Sequence, residues 1–156
     1  MRSVIPSSTP LFVRVSATEW MTHVHPTPGS SLDLPTTIRL CKLFYAAGVD
    51  LVDVSSAANS SAQRIPVHDA RYQLDLARGI RDALKEEGGE AAKLLVGAVG
   101  RITDAETAKG VAEEDADAVF VARQFLRDPA LVRHIGQNLG VDVKWSEQYH
   151  MVQPKI

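Results

Sequence analysis

Val49 to Ser55 reads VDLVDVS, a short run of β-branched and apolar residues that predicts a β-strand. Three similar runs lie elsewhere in the chain: Leu11 to Ala17 (LFVRVSA), Leu94 to Val99 (LLVGAV) and Ala118 to Ala122 (AVFVA). Their high Val and Leu content is typical of parallel strands, which are usually covered on both faces. We therefore expect four strands in one parallel sheet.

Amphipathic stretches follow these runs and predict helices. The predicted helices span Leu34 to Ala47 before Gly48, Asp69 to Glu87 before Gly88, Asp104 to Ala112, and Arg127 to Leu139 before Gly140. Glycine is the residue most often found just past the end of a helix, and an Asp such as Asp104 often caps a helix start. Strands that alternate with helices predict an α/β fold built from βα units.

Four βα units leave two architectures open. A (βα)8 barrel takes about 250 residues, so a chain of 156 residues supplies about half of one. Such a half-barrel would have two unpaired edge strands and an uncovered inner face. The alternative is a small doubly wound sheet with helices on both faces. In either case no internal linker interrupts residues 1–156, and we expect a single domain.

The composition excludes several classes of partner and site. Seventeen basic and nineteen acidic side chains give a formal charge of −2, which favours neither a nucleic acid nor an anionic membrane as partner. The single cysteine, Cys41, excludes a disulfide framework and suits a reducing compartment, so we expect a cytoplasmic protein with Cys41 in its core. His23 and His25 have no third ligand close in sequence, and we expect no metal site.

Several motifs occur in succession along nearly the whole chain. They are LFVRVSATEW (Leu11 to Trp20), GVDLVDVSSAAN (Gly48 to Asn59), the Tyr72-Gln73 pair, VGAVGRIT (Val96 to Thr103) and ADAVFVARQFLRDP (Ala116 to Pro129). In this order and spacing they resemble the C-terminal half of the Old Yellow Enzyme family, the FMN-dependent NAD(P)H:flavin oxidoreductases and ene-reductases. The resemblance implies strands five to eight of a TIM barrel, and so favours the half-barrel.

Arg14 stands in the middle of an otherwise apolar strand, where a buried charge is costly unless it finds an anion or several acceptors. From the residues alone, an internal salt bridge with Asp53 or Glu19 explains Arg14 as well as a ligand does. The resemblance implies a ligand: Arg14 would contact the N1/O2 edge of the flavin, where a fixed cation stabilises the reduced, anionic ring. Arg14 is thus our one candidate catalytic residue.

A second group of residues follows the last two predicted strands. The loops in this position of a TIM barrel commonly bind phosphate through backbone N–H groups and a short helix. The resemblance assigns the FMN phosphate to Ala98, Val99, Gly100, Ala122 and Arg123 and the ribityl side of the cofactor to Ser55 and Ser56. The alternative is that the glycine only permits a tight turn and that Arg123 lies in solvent.

Important parts of the family pattern are absent from this chain. The substrate-anchoring His pair, or His and Asn, and the proton-donating Tyr belong to the N-terminal half, so no residue here takes those roles. The Gly-rich segment that usually follows DVSS is replaced by Ala57-Ala58-Asn59. Whether this chain is an enzyme by itself therefore stays open.

The resemblance implies an FMN-binding half-barrel of an NAD(P)H-dependent oxidoreductase that acts on activated alkenes, such as α,β-unsaturated carbonyls. Two alternatives remain: a flavin-free half-barrel that binds a small molecule or catalyses isomerisation or cyclisation, and a truncated subunit without catalytic function. Because unpaired sheet edges need cover, we expect a homodimer or a complex with a complementary N-terminal half-barrel.

Overall fold

The computed structural model describes residues 1–27, 29–56 and 59–152. Four parallel strands form one sheet: β1 (Phe12–Ser16), β2 (Leu51–Ser55), β3 (Leu95–Val99) and β4 (Ala118–Phe120). The helices are α1 (Leu34–Ala46), α2 (Leu74–Glu87), α3 (Ala105–Gly110), α4 (Arg123–Arg127) and α5 (Leu131–Leu139). Each strand lies inside the run that predicted it.

The order of the strands decides between the two architectures. Each strand pairs in parallel with the next one along the chain, in the order β1-β2-β3-β4. A doubly wound sheet reverses its strand order at a switch point, and this sheet has no reversal. The prediction of half a (βα)8 barrel is therefore confirmed, and the doubly wound alternative is wrong.

The two faces of the sheet differ sharply in burial. On one face, Val52, Val54 and Val96 pack with Ile80 and other side chains of α2 in a fully buried core. The other face is only partly covered: Leu51 and Asp53 in its middle are buried, whereas Phe12 and Leu95 are 54% and 47% exposed. Large apolar side chains rarely face water in a row on a complete fold. The uncovered face corresponds to the interior of the barrel of which this sheet forms half.

The predicted helix boundaries hold for α1 and fail in two other places. α2 begins at Leu74 rather than Asp69, because the Asp69 carboxylate accepts a hydrogen bond from the Arg71 N–H (2.8 Å) and turns the backbone. The single helix predicted from Arg127 ends there instead: Asp128 is extended (φ −137°, ψ 90°), and α5 starts after Pro129. The residue before a proline is disfavoured in helical conformation, which explains the break.

A buried carboxylate ties the segment before β4 to α2. Asp115 is the last residue of a π-helical turn (Val111–Asp115) that continues α3, and its side chain is fully buried. Its Oδ1 accepts a hydrogen bond from the Arg71 guanidinium at 2.7 Å and forms an ion pair with Arg78, whose Nε lies 2.9 Å away. Two arginines compensate one buried charge, so this network fixes how α2 sits against the strand that follows.

Cys41 lies in the core, as predicted, and takes no part in a site. Burial raises the pKa of its thiol to about 11, so the reactive thiolate is not populated near neutral pH. Within residues 1–27, 29–56 and 59–152, no helix is both long and apolar enough to cross a membrane. The same residues contain no cluster of three or more His, Cys, Asp or Glu side chains that could hold a metal ion.

Candidate functional site

The predicted site residues gather at the carboxyl ends of the strands. Ser55 ends β2, Val99 ends β3, and Arg123 begins the short helix after β4. Because all four strands are parallel, these ends meet at one edge of the sheet. This is the edge at which barrel enzymes of the (βα)8 type carry their active sites.

A cavity of about 510 Å³ opens between the ends of β3 and β4. Four of the predicted residues line it: Val99, Gly100, Ala122 and Arg123. The remaining lining residues are Gln73, Arg101, Ile102, Thr103, Phe120, Val121, Gln124 and Arg127. The sequence motifs VGAVGRIT and VARQFLRDP thus build one concave site from two neighbouring βα loops.

The charge of this cavity is positive. Arg101, Arg123 and Arg127 all line it, and no Asp or Glu is among its lining residues in the described part of the chain. Arg101 adopts a left-handed backbone conformation (φ 54°), and its guanidinium donates to the Val67 carbonyl at 2.5 Å. Guanidinium groups match phosphate and carboxylate oxygens in geometry and charge, so the cavity suits a small anion or the anionic end of a larger ligand.

Gly100 has a backbone conformation that strongly favours glycine. Its φ of +131° is strained for any residue with a side chain, and a Cβ there would overlap Gln73 Nε2. In the structure, the group next to Gly100 is the amide of Gln73. Contact between the Gly100 backbone and a phosphate stays a prediction.

Gln73 also contacts the loop after β2. Its Oε1 accepts a hydrogen bond from the backbone N–H of Ser56 at 2.9 Å. Ser56 is buried, and its hydroxyl accepts from the Trp20 indole N–H at 3.0 Å. The Trp20 ring meets Tyr72 edge to face with centroids 6.2 Å apart. One polar network therefore joins the ends of β2 and β3.

Four of the predicted cofactor residues lie outside the cavity lining: Arg14, which is described below, and Ser55, Ser56 and Ala98. Ala98 is fully buried on the core face of β3, so only its backbone could reach a ligand. The Ser55 hydroxyl donates to the Val15 carbonyl at 3.2 Å, and Ser56 belongs to the Gln73 network. Contact of Ser55 and Ser56 with the ribityl side of FMN stays a prediction, as does contact of Ala98 with the phosphate. Ala57 and Ala58 lie outside the described residues.

Arg14 lies on the uncovered face of β1, opposite Asp53 on β2. Its Nε donates to Asp53 Oδ2 at 2.6 Å, and its terminal nitrogen contacts the same oxygen. The internal salt bridge that the residues alone left open is thus formed with Asp53, while Glu19 accepts from Ser31 and Leu32. The Arg14 side chain stays 57% exposed, so the pair does not enclose it.

Eight of the twelve lining residues in the described part of the chain were not among the predicted site residues, and they include Arg101, Arg127, Gln73 and Phe120. Arg101 and Arg127 stand inside the quoted motifs, Arg101 just after the end of β3 and Arg127 at the end of the short helix that follows β4, and this placement was the signal that could have identified them. Gln73 was noted only as part of a pair that opens a helix. Phe120 lies over Gly97, where any Cβ would overlap its ring, so that glycine makes room for the aromatic wall of the cavity.

Comparisons with known proteins agree with this arrangement. A model of the NADH:flavin oxidoreductase / NADH oxidase family matches residues 3–142. The chain is 35% identical over 152 residues to an NADH:flavin oxidoreductase of Gibberella zeae, covering 95% of this chain and 35% of that protein. It is 36% identical over 141 residues to the NADPH dehydrogenase of Bacillus subtilis, covering 90% of this chain and 37% of that protein.

A similarity in fold extends to a solved structure of another protein. The crystal structure of ligand-free type DHODH from Eimeria tenella superposes with a TM-score of 0.50 and 14% sequence identity. The superposition covers 84% of this chain and 36% of that one. This likeness concerns the fold alone. In each comparison, the chain spans little more than a third of the length of the protein it matches.

Proposed function

The chain belongs to the NADH:flavin oxidoreductase / NADH oxidase family, and from that premise we propose that it is the FMN-binding half-barrel of an NAD(P)H-dependent oxidoreductase acting on activated alkenes. The observation that carries this proposal is the cavity between the ends of β3 and β4, which presents three arginines and no carboxylate among its described lining residues. A phosphate monoester is the anionic part of FMN, and this cavity is suited to hold one.

The residues present fit the phosphate end of FMN. Arg123 and Arg127 supply guanidinium donors from the two ends of α4, and the Gly100 backbone belongs to the loop after β3. When bound, FMN supplies hydride chemistry, by which a hydride from NAD(P)H and a proton add across a carbon–carbon double bond. In this proposal the cavity residues anchor the phosphate and so orient the rest of the cofactor at the carboxyl-end edge of the open face of the sheet.

Arg14 fits a second role on that open face. A guanidinium has five N–H donors, and the contacts with Asp53 use those of Nε and one terminal nitrogen. The salt bridge therefore orients Arg14 without using all of its donors, and more than half of the side chain is still exposed. We propose that the remaining donors meet the N1/O2 edge of the flavin ring, with Asp53 as the group that holds them in place.

Titration with FMN tests this proposal. We expect the purified chain to bind FMN, with quenched flavin fluorescence and a visible absorbance band. Arg123→Ala should weaken binding roughly 10- to 100-fold, since a hydrogen bond to a charged group is worth about 1.5–3 kcal/mol. Arg39→Ala removes an exposed arginine of α1 far in sequence from the cavity motifs and should leave the affinity unchanged.

Two results would overturn the proposal in different ways. A colourless chain that cannot be loaded with FMN, alone or with an N-terminal half-barrel, would favour the flavin-free half-barrel. Equal FMN affinity of the wild type and Arg123→Ala would remove the phosphate role from Arg123 while leaving flavin binding intact. The substrate class is tested separately, by oxidation of NADPH with a simple enone in the loaded complex.

A further inference from the structure

The connection from β2 to α2 contains a short segment, residues 65–70, that belongs to no helix or strand; we call it the strap. Residues 67–70 are exposed, and Val67 is 50% exposed. The Val67 N–H bonds within the strap, to the Ile65 carbonyl at 2.8 Å. A segment with so few contacts to the core can open without unfolding the sheet beneath it.

Both ends of the strap are fixed to the rest of the fold. The Trp20 carbonyl accepts a hydrogen bond at 3.1 Å from the N–H of Arg64, the residue before the strap. The Trp20 ring packs in a T-shaped contact with Tyr72, two residues after the strap. Between them, the Arg71 guanidinium bonds the buried Asp115 at 2.7 Å. The chain on either side of the strap is therefore anchored by contacts in which the strap takes no part.

The middle of the strap is held by Arg101. Its guanidinium donates to the Val67 carbonyl at 2.5 Å. In the described part of the chain, no other hydrogen bond reaches residues 65–70 from outside residues 65–71. Arg101 also lines the cavity between the ends of β3 and β4, so the Val67 carbonyl lies at the rim of that cavity. One side chain thus connects the strap to the cavity.

Backbone strain marks the same two holding residues. Among the described residues, Trp20 (φ 55°) and Arg101 (φ 54°) are the only ones other than glycine with a positive φ. A left-handed backbone is unfavourable for a residue with a side chain and persists where surrounding contacts require it. Opening of the strap would release the contact between Arg101 and Val67 and let the Arg101 backbone relax. The closed and open states therefore differ in free energy by less than the hydrogen bond alone would give.

We propose that the strap opens and closes at the rim of this cavity, with Arg101 as its latch and Trp20 as its fixed anchor. In the closed state the strap restricts entry to the cavity from the side of β2, and in the open state a ligand passes it. This inference goes beyond the proposed function, because it concerns access to the cavity and not the group that is bound there. Only the use of FMN as a probe of access rests on that function.

Amide hydrogen exchange in the ligand-free chain tests the latch. Arg101→Asn removes the guanidinium and introduces a residue that adopts the left-handed conformation more readily. Exchange of residues 67–70 should become roughly 10-fold faster, since the lost hydrogen bond has a charged donor, while the amides of α2 keep their wild-type rates. Arg127→Asn is the matched control, because it removes another cavity arginine, one that bonds Gln124 and not the strap. Equal exchange of the strap in Arg101→Asn and the wild type would overturn the latch.

Pro66→Gly tests the control of access. Glycine gains more conformational freedom than proline in the open state, so this change loosens the strap while every charge of the cavity stays in place. With FMN as the probe, stopped-flow fluorescence should show association and dissociation both faster by roughly 5-fold, with an affinity that changes little. A segment that only controls entry changes both rates together, whereas a segment that contacts the ligand changes their ratio.

The outcomes separate this inference from the proposed function. Equal FMN rates of the wild type and Pro66→Gly would overturn the control of access. A chain that binds no FMN would overturn the proposed function, and the exchange experiment would still decide whether the latch exists. If Arg101→Asn does not fold, Arg101→Gly, which has no strain at this φ, should show the same faster exchange of the strap.

Discussion

Arg14 and Asp53 form an ion pair in which the arginine is exposed and the aspartate is buried. Asp53 is buried and only its Oδ2 is hydrogen-bonded, whereas Oδ1 has no partner in the described residues. Arg14→Ala should therefore destabilise the fold by about 1–3 kcal/mol, because it leaves a buried acceptor without its donor. Chemical denaturation would measure the loss as a lower midpoint at an unchanged slope.

A double variant tests whether the stability lost in Arg14→Ala comes from leaving the buried Asp53 charge without its partner. Arg14→Ala/Asp53→Val removes both partners and places a β-branched residue in the strand, so it should recover most of the stability lost by Arg14→Ala. A double variant less stable than the single one would show that Asp53 contributes to folding independently of Arg14.

The partner of Arg14 marks a limit of prediction at this scale. The sequence identified the strands and an arginine that needed an acceptor. It could not choose between Asp53, Glu19 and a ligand, because the choice depends on the register of β1 against β2. A connection that contains a long loop and the whole of α1 does not fix that register. Only the paired strands place Arg14 opposite Asp53.

At the scale of secondary-structure elements, the N-cap of α3 predicts a stability of the fold that depends on pH. The Asp104 carboxylate accepts from the Thr107 N–H at 2.9 Å, and this bond, followed by that of the Thr107 hydroxyl, lowers the pKa of Asp104. A carboxylate with a lowered pKa stabilises the fold fully above its unfolded pKa of about 3.9 and loses that effect as pH falls through its folded pKa.

Asp104→Ala should lower the stability by about 1 kcal/mol at pH 6, the usual effect of losing an N-cap. The difference between this variant and the wild type should shrink as pH falls towards 3, which thermal or urea unfolding at each pH would show. Asp104→Asn keeps an acceptor at the cap and should lie close to the wild type at pH 6. A difference that is constant with pH would mean that the charge of Asp104 has no part in the cap.

The elements that sequence predicted well are those fixed by local chemistry. The caps at Asp104 and Gly140 and the four apolar strand cores depend on neighbours within a few residues. The late start of α2 and the break at Pro129 also have local causes, the Asp69 side chain and the proline. The spacing of apolar residues, from which the helices were predicted, does not include these two effects. The Asp115 network could not be predicted, since its arginines lie far from it along the chain.

For the whole molecule, the uncovered face and the free edges of β1 and β4 lead us to propose a homodimer. A twofold axis along the barrel would bring β4 of one copy beside β1 of the other, in parallel, and would bury Phe12 and Leu95 of both. Light scattering should then give twice the chain mass of 17.0 kDa at micromolar concentration.

Leu95→Lys should shift this dimer to monomers, because it places a charge on the face to be buried. Leu43→Lys is the control, since Leu43 is an equally apolar, exposed residue on α1. A stable wild-type monomer would contradict the dimer. If that monomer instead bound a separate N-terminal half-barrel, the partner that covers this face would be the complementary half-barrel and not a second copy of the chain.

β4 has only three residues and pairs on one side, with β3, whereas β2 pairs with β1 over all five of its residues and with β3 over four of them. In the isolated chain, amide hydrogens of β4 should consequently exchange faster than those of β2 and β3. Arg123 and Arg127 follow this least protected strand, so half of the cavity is attached to the segment that opens most easily. Part of any binding energy at this cavity would then go into closing that segment, and occupancy would be read out as slowed exchange at the edge of the sheet.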